Sequence, residues 1–407
     1  MDPGQDRVSD PSDGSAASTR SSAMQWEREI AAEFFAWRRD SGSAVDRMRT
    51  FASAVHGAVT RGTQQSSPVE IAALLPRVLS SCDDIGFHTA AEVCAYAALH
   101  LVDRYGRVLQ VLEHLFEVGR LPLRRAGVST LEVGAGPAPA LYAIHDFYDD
   151  LVEWPGRSTD WSIGPVRNAD ALDKASGWDG LLHRLSEELM TERGNTSSGG
   201  QLPFARRFRE FEGFDVHEVH HASIASLAWR IEEEFDSADE WVSRSTALKF
   251  AYEEGTDRPS GYDLVFIPNF LTRSDSPQEF RTELRGIMRA LTPGGVLVVL
   301  CGVANQYLGI RAAVEALARD AGLIPVGPSE PMQSNADAAR HTQVIQQVRT
   351  TMAAMTAGCS RDQIESLAEL LPGILNTSSP FKLPRFCALM YVRQTRRRGR
   401  RAERAGH

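Results

Sequence analysis

Residues 130–141 read Thr130-Leu131-Glu132-Val133-Gly134-Ala135-Gly136-Pro137-Ala138-Pro139-Ala140-Leu141, and this stretch decides the fold. It is a strand, then a glycine turn, then a helix start. Gly134 and Gly136 permit backbone angles and close approaches that a Cβ forbids. A helix beginning near Pro139 aims its free N–H groups into the crevice beyond the strand's carboxyl end. Ligands of open α/β sheets bind in that crevice. The G-x-G-x-x-G fingerprint of dinucleotide sites is not met, because Pro139 stands at its last position.

Outward from this turn, short apolar runs alternate with helical stretches, the pattern of a parallel α/β sheet. Strands are expected at Thr130–Val133, Asp215–His221, Asp263–Pro268, Val296–Cys301 and Phe386–Val392, with weaker ones near Trp161–Val166 and Leu323–Val326. Ser276, Pro277 and Glu279 mark a helix start, and Phe280, Leu284 and Ile287 give that helix a buried stripe. It ends at Leu291-Thr292-Pro293-Gly294-Gly295, where proline stops the helix and the glycines turn the chain into the next strand.

The glycine turn and this helix–strand junction together resemble class I S-adenosylmethionine (SAM)-dependent methyltransferases over roughly residues 128–327 plus the last strand. The resemblance implies a Rossmann-like seven-strand α/β methyltransferase sheet, with SAM as cofactor. It implies that Gly134, Ala135 and Gly136 pack against the methionine part of SAM, and that Glu132 holds the loop and the cofactor's amino group. Ala138 stands where the family often has a third glycine.

For the ribose hydroxyls the family uses an acid at the end of its second strand. The candidates are Asp170 and Asp173, and Asp173 better fits a strand end followed by a helix. Near the adenine the family often has a further acid. Here Val219-His220-His221-Ala222-Ser223 offers none, so either Ser223 substitutes or packing and backbone hold the base. Asn269 is placed in the same site, in the loop after the fourth strand. Amino-methylating relatives carry an N/D-P-P-Y tetrad near there, and Ile267-Pro268-Asn269-Phe270 is not that tetrad. No catalytic residue is identified. Methyl transfer needs little acid–base chemistry, since holding the nucleophile in line supplies much of the rate.

Upstream, Trp26, Ile30, Phe34 and Trp37 share one helical face, and Val69 to Leu79 is amphipathic. Thr89 and Glu92 have capping-box spacing ahead of Val93, Tyr96 and Leu99. Residues 23–125 therefore form a helical unit, as a cover for the sheet or a substrate lid. Residues 1–22 read as a disordered tail and 126–393 as the methyltransferase domain, with helices inserted at about 335–380. A fainter likeness links Ala95-Tyr96-Ala97-Ala98-Leu99-His100-Leu101 to methyltransferase-like proteins of small-ribosomal-subunit assembly, whose cysteine cluster this chain lacks.

The 407 residues carry a formal charge of −9, from 44 basic against 53 acidic side chains, which argues against non-specific nucleic-acid binding by the whole chain. The arginines clustered at Arg393, Arg396, Arg397, Arg398, Arg400, Arg401 and Arg404 end in a basic tail, 394–407, suited to phosphate contacts. Cys82, Cys94, Cys301, Cys359 and Cys387 form no C-x-x-C pair, so no metal site is expected and reduced thiols of a cytoplasmic protein are. No apolar run approaches the ~20 residues of a membrane helix. Two functions follow. One is methyl transfer to a small-molecule or RNA acceptor. The other is a non-catalytic protein of the same fold that binds RNA or a ribonucleoprotein.

Overall fold

Apolar side chains alternate along the strands between two buried layers. Val296, Val298 and Leu300 join one core, whereas Leu297 and Val299 join the other. A strand covered on both faces needs such a continuous apolar run, because successive side chains point to opposite sides. The computed structural model describes residues 29–63, 66–81, 85–155, 163–192, 205–208, 261–328, 331–333, 338–370 and 385–394.

The chain opens with helices α1 (29–40), α2 (Ser43–Gly62), α3 (Pro68–Ser81) and α4 (Ala90–Tyr96). A π-turn at Ala97–Leu101 leads into α5 (Val102–Glu117). Thr89 and Glu92 do form a reciprocal capping box at the start of α4. Then come β1 (Val128–Val133), α6 (Pro139–Glu153), β2 (Val166–Asp173), α7 (Asp179–Glu192) and β3 (Ala205–Phe208). After them follow β4 (Leu264–Pro268), the short α8 (Ser276–Glu279), α9 (Arg281–Ala290) and β5 (Val296–Gly302). The last elements are α10 (Leu308–Asp320), β6 (Leu323–Pro325), β7 (Met332–Gln333), α11 (Ala338–Thr356), α12 (Arg361–Leu370) and β8 (Arg385–Arg393).

The strands make one sheet in the order β3-β2-β1-β4-β5-β8-β6, with β7 pairing on β8. The first five of that path run parallel, and β8 is antiparallel to β5 and β6. This is the Rossmann-like, seven-strand path the glycine turn led us to expect. The strand order reverses beside β1, which places the glycine turn at the switch point where α/β sheets open a crevice. Helices α1–α7 and α11 contribute to the core on one face, and α9 and α10 to the core on the other.

Three readings change. The second strand lies at Val166–Asp173, after the segment 161–166. Its polar letters hide it: Ala169, Ala171 and Leu172 are buried, and Asp170 is satisfied by the Tyr262 hydroxyl at 2.9 Å. The strand beside β2 among the described residues is Ala205–Phe208, whose two arginines mask it in the sequence. Arg393 is no part of a free basic tail. Its guanidinium binds the carbonyls of Arg289 and Leu291, capping the end of α9. The expected strand Asp215–His221, Ser223, the 1–22 tail and the arginines from Arg396 on lie outside the described residues.

Candidate functional site

The glycine turn is built as its sequence demands. Gly134 (φ 63°) and Gly136 (φ 51°) both occupy the left-handed region. Ala138 joins them at φ 54°, an alanine in a conformation that glycine takes without steric cost. Ala138 is the N-cap of α6, and it has no side chain to cap with. Glu132 does that work from the sheet: its Oε2 accepts the Leu141 amide at 3.0 Å. The side chain is fully buried and its Oε1 takes no hydrogen bond. Burial pushes the carboxyl up to about 8, against the pull of the Leu141 and Ala140 amides and of Arg104.

Asp173, at the end of β2, locks the same turn. Its Oδ2 accepts the Gly136 amide at 2.7 Å and its Oδ1 the Ala175 amide at 2.8 Å. The Ala135 amide donates to the Leu172 carbonyl at 3.0 Å, so β2 holds the turn at two points. The separation of about forty residues between turn and acid is thus bridged by adjacent parallel strands in register. Asp170 stays inside the sheet, where it accepts the Tyr262 hydroxyl, whereas Asp173 reaches the turn.

The loop after β4 comes in from the other side. Asn269 adopts φ 54°, anchors its amide on the Leu300 carbonyl at 2.9 Å and leaves a buried Nδ2 without a partner. Next to it, the Phe270 ring lies against Gly134, so close that a Cβ there would meet it at 2.5 Å. Trp178, after β2, lies against Gly136, 3.4 Å from where a Cβ would stand. Aromatic rings from the two strands flanking β1 therefore wall the turn. Glu132, Gly134, Ala135, Gly136, Asp173 and Asn269 converge on this one edge of the sheet, and Ser223 falls outside the described residues.

The helical unit reaches the same edge. Tyr96 packs edge-on to Trp178 with ring centroids 5.2 Å apart, and Phe87 tilts against Trp178 at 4.6 Å. Arg104, in the first turn of α5, stacks its guanidinium over Tyr96 at 4.8 Å. It is half-buried and makes no hydrogen bond or ion pair among the described residues. His100 lies between them in the π-turn, and burial, with Arg104 and Arg107 nearby, pushes it down to about 3, so it is neutral at physiological pH. π-turns inside helices are frequent at functional sites. Sequence reasoning had Tyr96 only as part of an apolar stripe and missed Arg104, Trp178 and Phe270. The signal for Arg104 was a cation two turns beyond Tyr96, with His100 between them at helical spacing.

No family model matches the chain, and a search of curated proteins returns no match. Among solved structures, the chain is similar to Haemonchus contortus phosphoethanolamine N-methyltransferase 2, bound to phosphomonomethylethanolamine and S-adenosylhomocysteine, at TM-score 0.34 and 11% identity over 74% of this chain and 58% of that one. It is similar to geranyl diphosphate C-methyltransferase of Streptomyces coelicolor at TM-score 0.29 and 10% identity over 74% and 88%. It is also similar to the [4+2]-cyclase SpnF at TM-score 0.32 and 12% identity over 72% and 81%. What the site can do is read from its own residues.

Proposed function

We propose that the chain binds SAM at the edge formed by β1, β2 and β4 and transfers its methyl group to an acceptor. One observation carries this reading: Glu132 is fully buried beneath the first turn of α6 and leaves Oε1 unpartnered among the described residues. A buried polar atom without a partner is costly and calls for a ligand donor. The ammonium of an amino acid is such a donor. The glycine turn beside it, pinned by Asp173, supports the same reading.

When bound, SAM supplies an electrophilic methyl group on a sulfonium. Glu132 would give up the proton it holds near neutral pH and accept from the ligand's ammonium. Asp173 keeps the turn in place through Gly136 and sits where ribose hydroxyls would be read. Phe270 and Trp178 exclude water on both sides. Positioning the acceptor in line supplies most of the acceleration, so no general base is required.

Calorimetric titration of the folded chain with SAM and with S-adenosylhomocysteine tests this. Micromolar binding, abolished in Gly134→Arg, is expected. A well-folded wild type that binds neither compound overturns the reading and directs attention to the arginine-rich C-terminus as an RNA contact.

A further inference from the structure

Two ionisable groups near the glycine turn are incompletely paired among the described residues. Glu132 lies near the end of β1 with Oε1 unpaired, and Arg104 lies half-buried on α5 of the helical unit with no hydrogen bond or ion pair among the described residues. The chain of contacts between them is continuous. Arg104 stacks on Tyr96, Tyr96 meets Trp178 edge-on, and Trp178 lies on Gly136, two residues past the turn's first glycine. Arg104 is also close enough to be felt electrostatically at the Glu132 carboxyl.

A guanidinium stacked on an aromatic face keeps its planar edge free, and that edge matches a carboxylate with two parallel N–H donors. The stacking also holds the side chain in place, so little rotamer freedom is lost on binding. An acceptor for an ammonium at the glycine turn and a donor fork for a carboxylate on the helix joined to it through Tyr96 and Trp178 are the two halves of a zwitterion site. We infer that Arg104, contributed by the helical unit, clamps the carboxylate at the amino-acid end of the ligand whose ammonium Glu132 receives. The helical unit is then part of the cofactor site as well as a cover for the sheet. This rests on the SAM reading above and extends it to a positioning residue outside the sheet.

The test compares SAM with decarboxylated SAM, which keeps the ammonium and the nucleoside and lacks only the carboxylate. The full-length wild type should prefer SAM, and Arg104→Gln should lose that preference. Hydrogen bonds to charged groups contribute about 1.5–3 kcal/mol, so SAM binding should weaken roughly tenfold to a hundredfold in the variant. Binding of the decarboxylated compound should stay unchanged. Arg104→Lys, which keeps the charge without the fork, should fall between and guards against a folding defect in the Gln variant. Equal weakening of both compounds, or SAM affinity unchanged in Arg104→Gln, overturns the assignment while leaving the cofactor reading standing. A wild type that binds neither compound overturns both.

Discussion

Two groups of buried charges sit on the same face of the sheet and are finished differently. Beneath the helical unit, Asp150 is fully buried yet takes Arg38 at 2.9 Å and Arg47 at 2.5 Å. Arg38 also reaches Glu113 at 3.0 Å, and Arg340 of α11 meets the same Glu113 oxygen at 2.7 Å. Tyr105 donates to Asp146 at 2.6 Å, and Asp146 lies 3.6 Å from Arg47. This network ties α1, α2, α5, α6 and α11 together, with each of its carboxylates engaged. Around the glycine turn, by contrast, Glu132 keeps Oε1 unpaired and Arg104 of α5 makes no hydrogen bond or ion pair among the described residues. The fully paired network reads as architecture. The half-paired edge reads as a place built for something else to complete.

The first way to break this contrast is Asp150→Asn. It leaves the buried Arg38 and the half-buried Arg47 guanidiniums facing a neutral amide, and losing one partner of a buried pair costs about 3–5 kcal/mol. Denaturant unfolding should show that loss, while ligand affinity at temperatures where the variant stays folded should be untouched. A loss below about 1 kcal/mol would mean the network is not architectural.

Glu132→Gln sharpens the contrast from the other side. The folded-state carboxyl sits at about 8 against an ordinary 4.5, so the unfolded chain releases its proton first. Stability is therefore fullest below about 4.5, falls as pH rises toward about 8 and then levels off. Glu132→Gln should flatten that slope and weaken SAM about tenfold, because a neutral amide receives an ammonium less well. Parallel pH profiles for the two proteins would contradict the buried-acid account.

The smallest effect belongs to Asp173→Asn. An amide oxygen can keep one of the two backbone donors, Gly136 or Ala175, and gives up the other. Stability should drop by about 1–2 kcal/mol. Affinity for SAM should fall further than that loss alone explains, since the turn is loosened. An unchanged affinity would restrict Asp173 to a structural role.

Much of this was legible in the sequence because it rests on local signals. The strand–glycine–helix stretch at 130–141, the Thr89–Glu92 capping box and the Pro293-Gly294-Gly295 junction each declare their geometry through a few adjacent residues. Ser360 and Gln363 have the same capping-box spacing ahead of α12, and both bonds of that box form. What escaped was non-local. β2 and β3 carry polar letters that only pairing with neighbours explains. Asp173 was ambiguous until its register against β1 put it beside Gly136. Arg104 and Trp178 gain meaning only when the helical unit folds down onto the turn. Phe270 stood next to a residue already singled out, yet nothing in the sequence said which way its ring would face.

A crystal structure of the chain with bound S-adenosylhomocysteine tests the central claim most directly. The account predicts the ligand at the glycine turn, between Phe270 and Trp178. Its ammonium should lie about 3 Å from Glu132 Oε1, a normal hydrogen-bond distance. Ligand bound elsewhere, or a turn left empty with an ordered water satisfying Glu132, would contradict it.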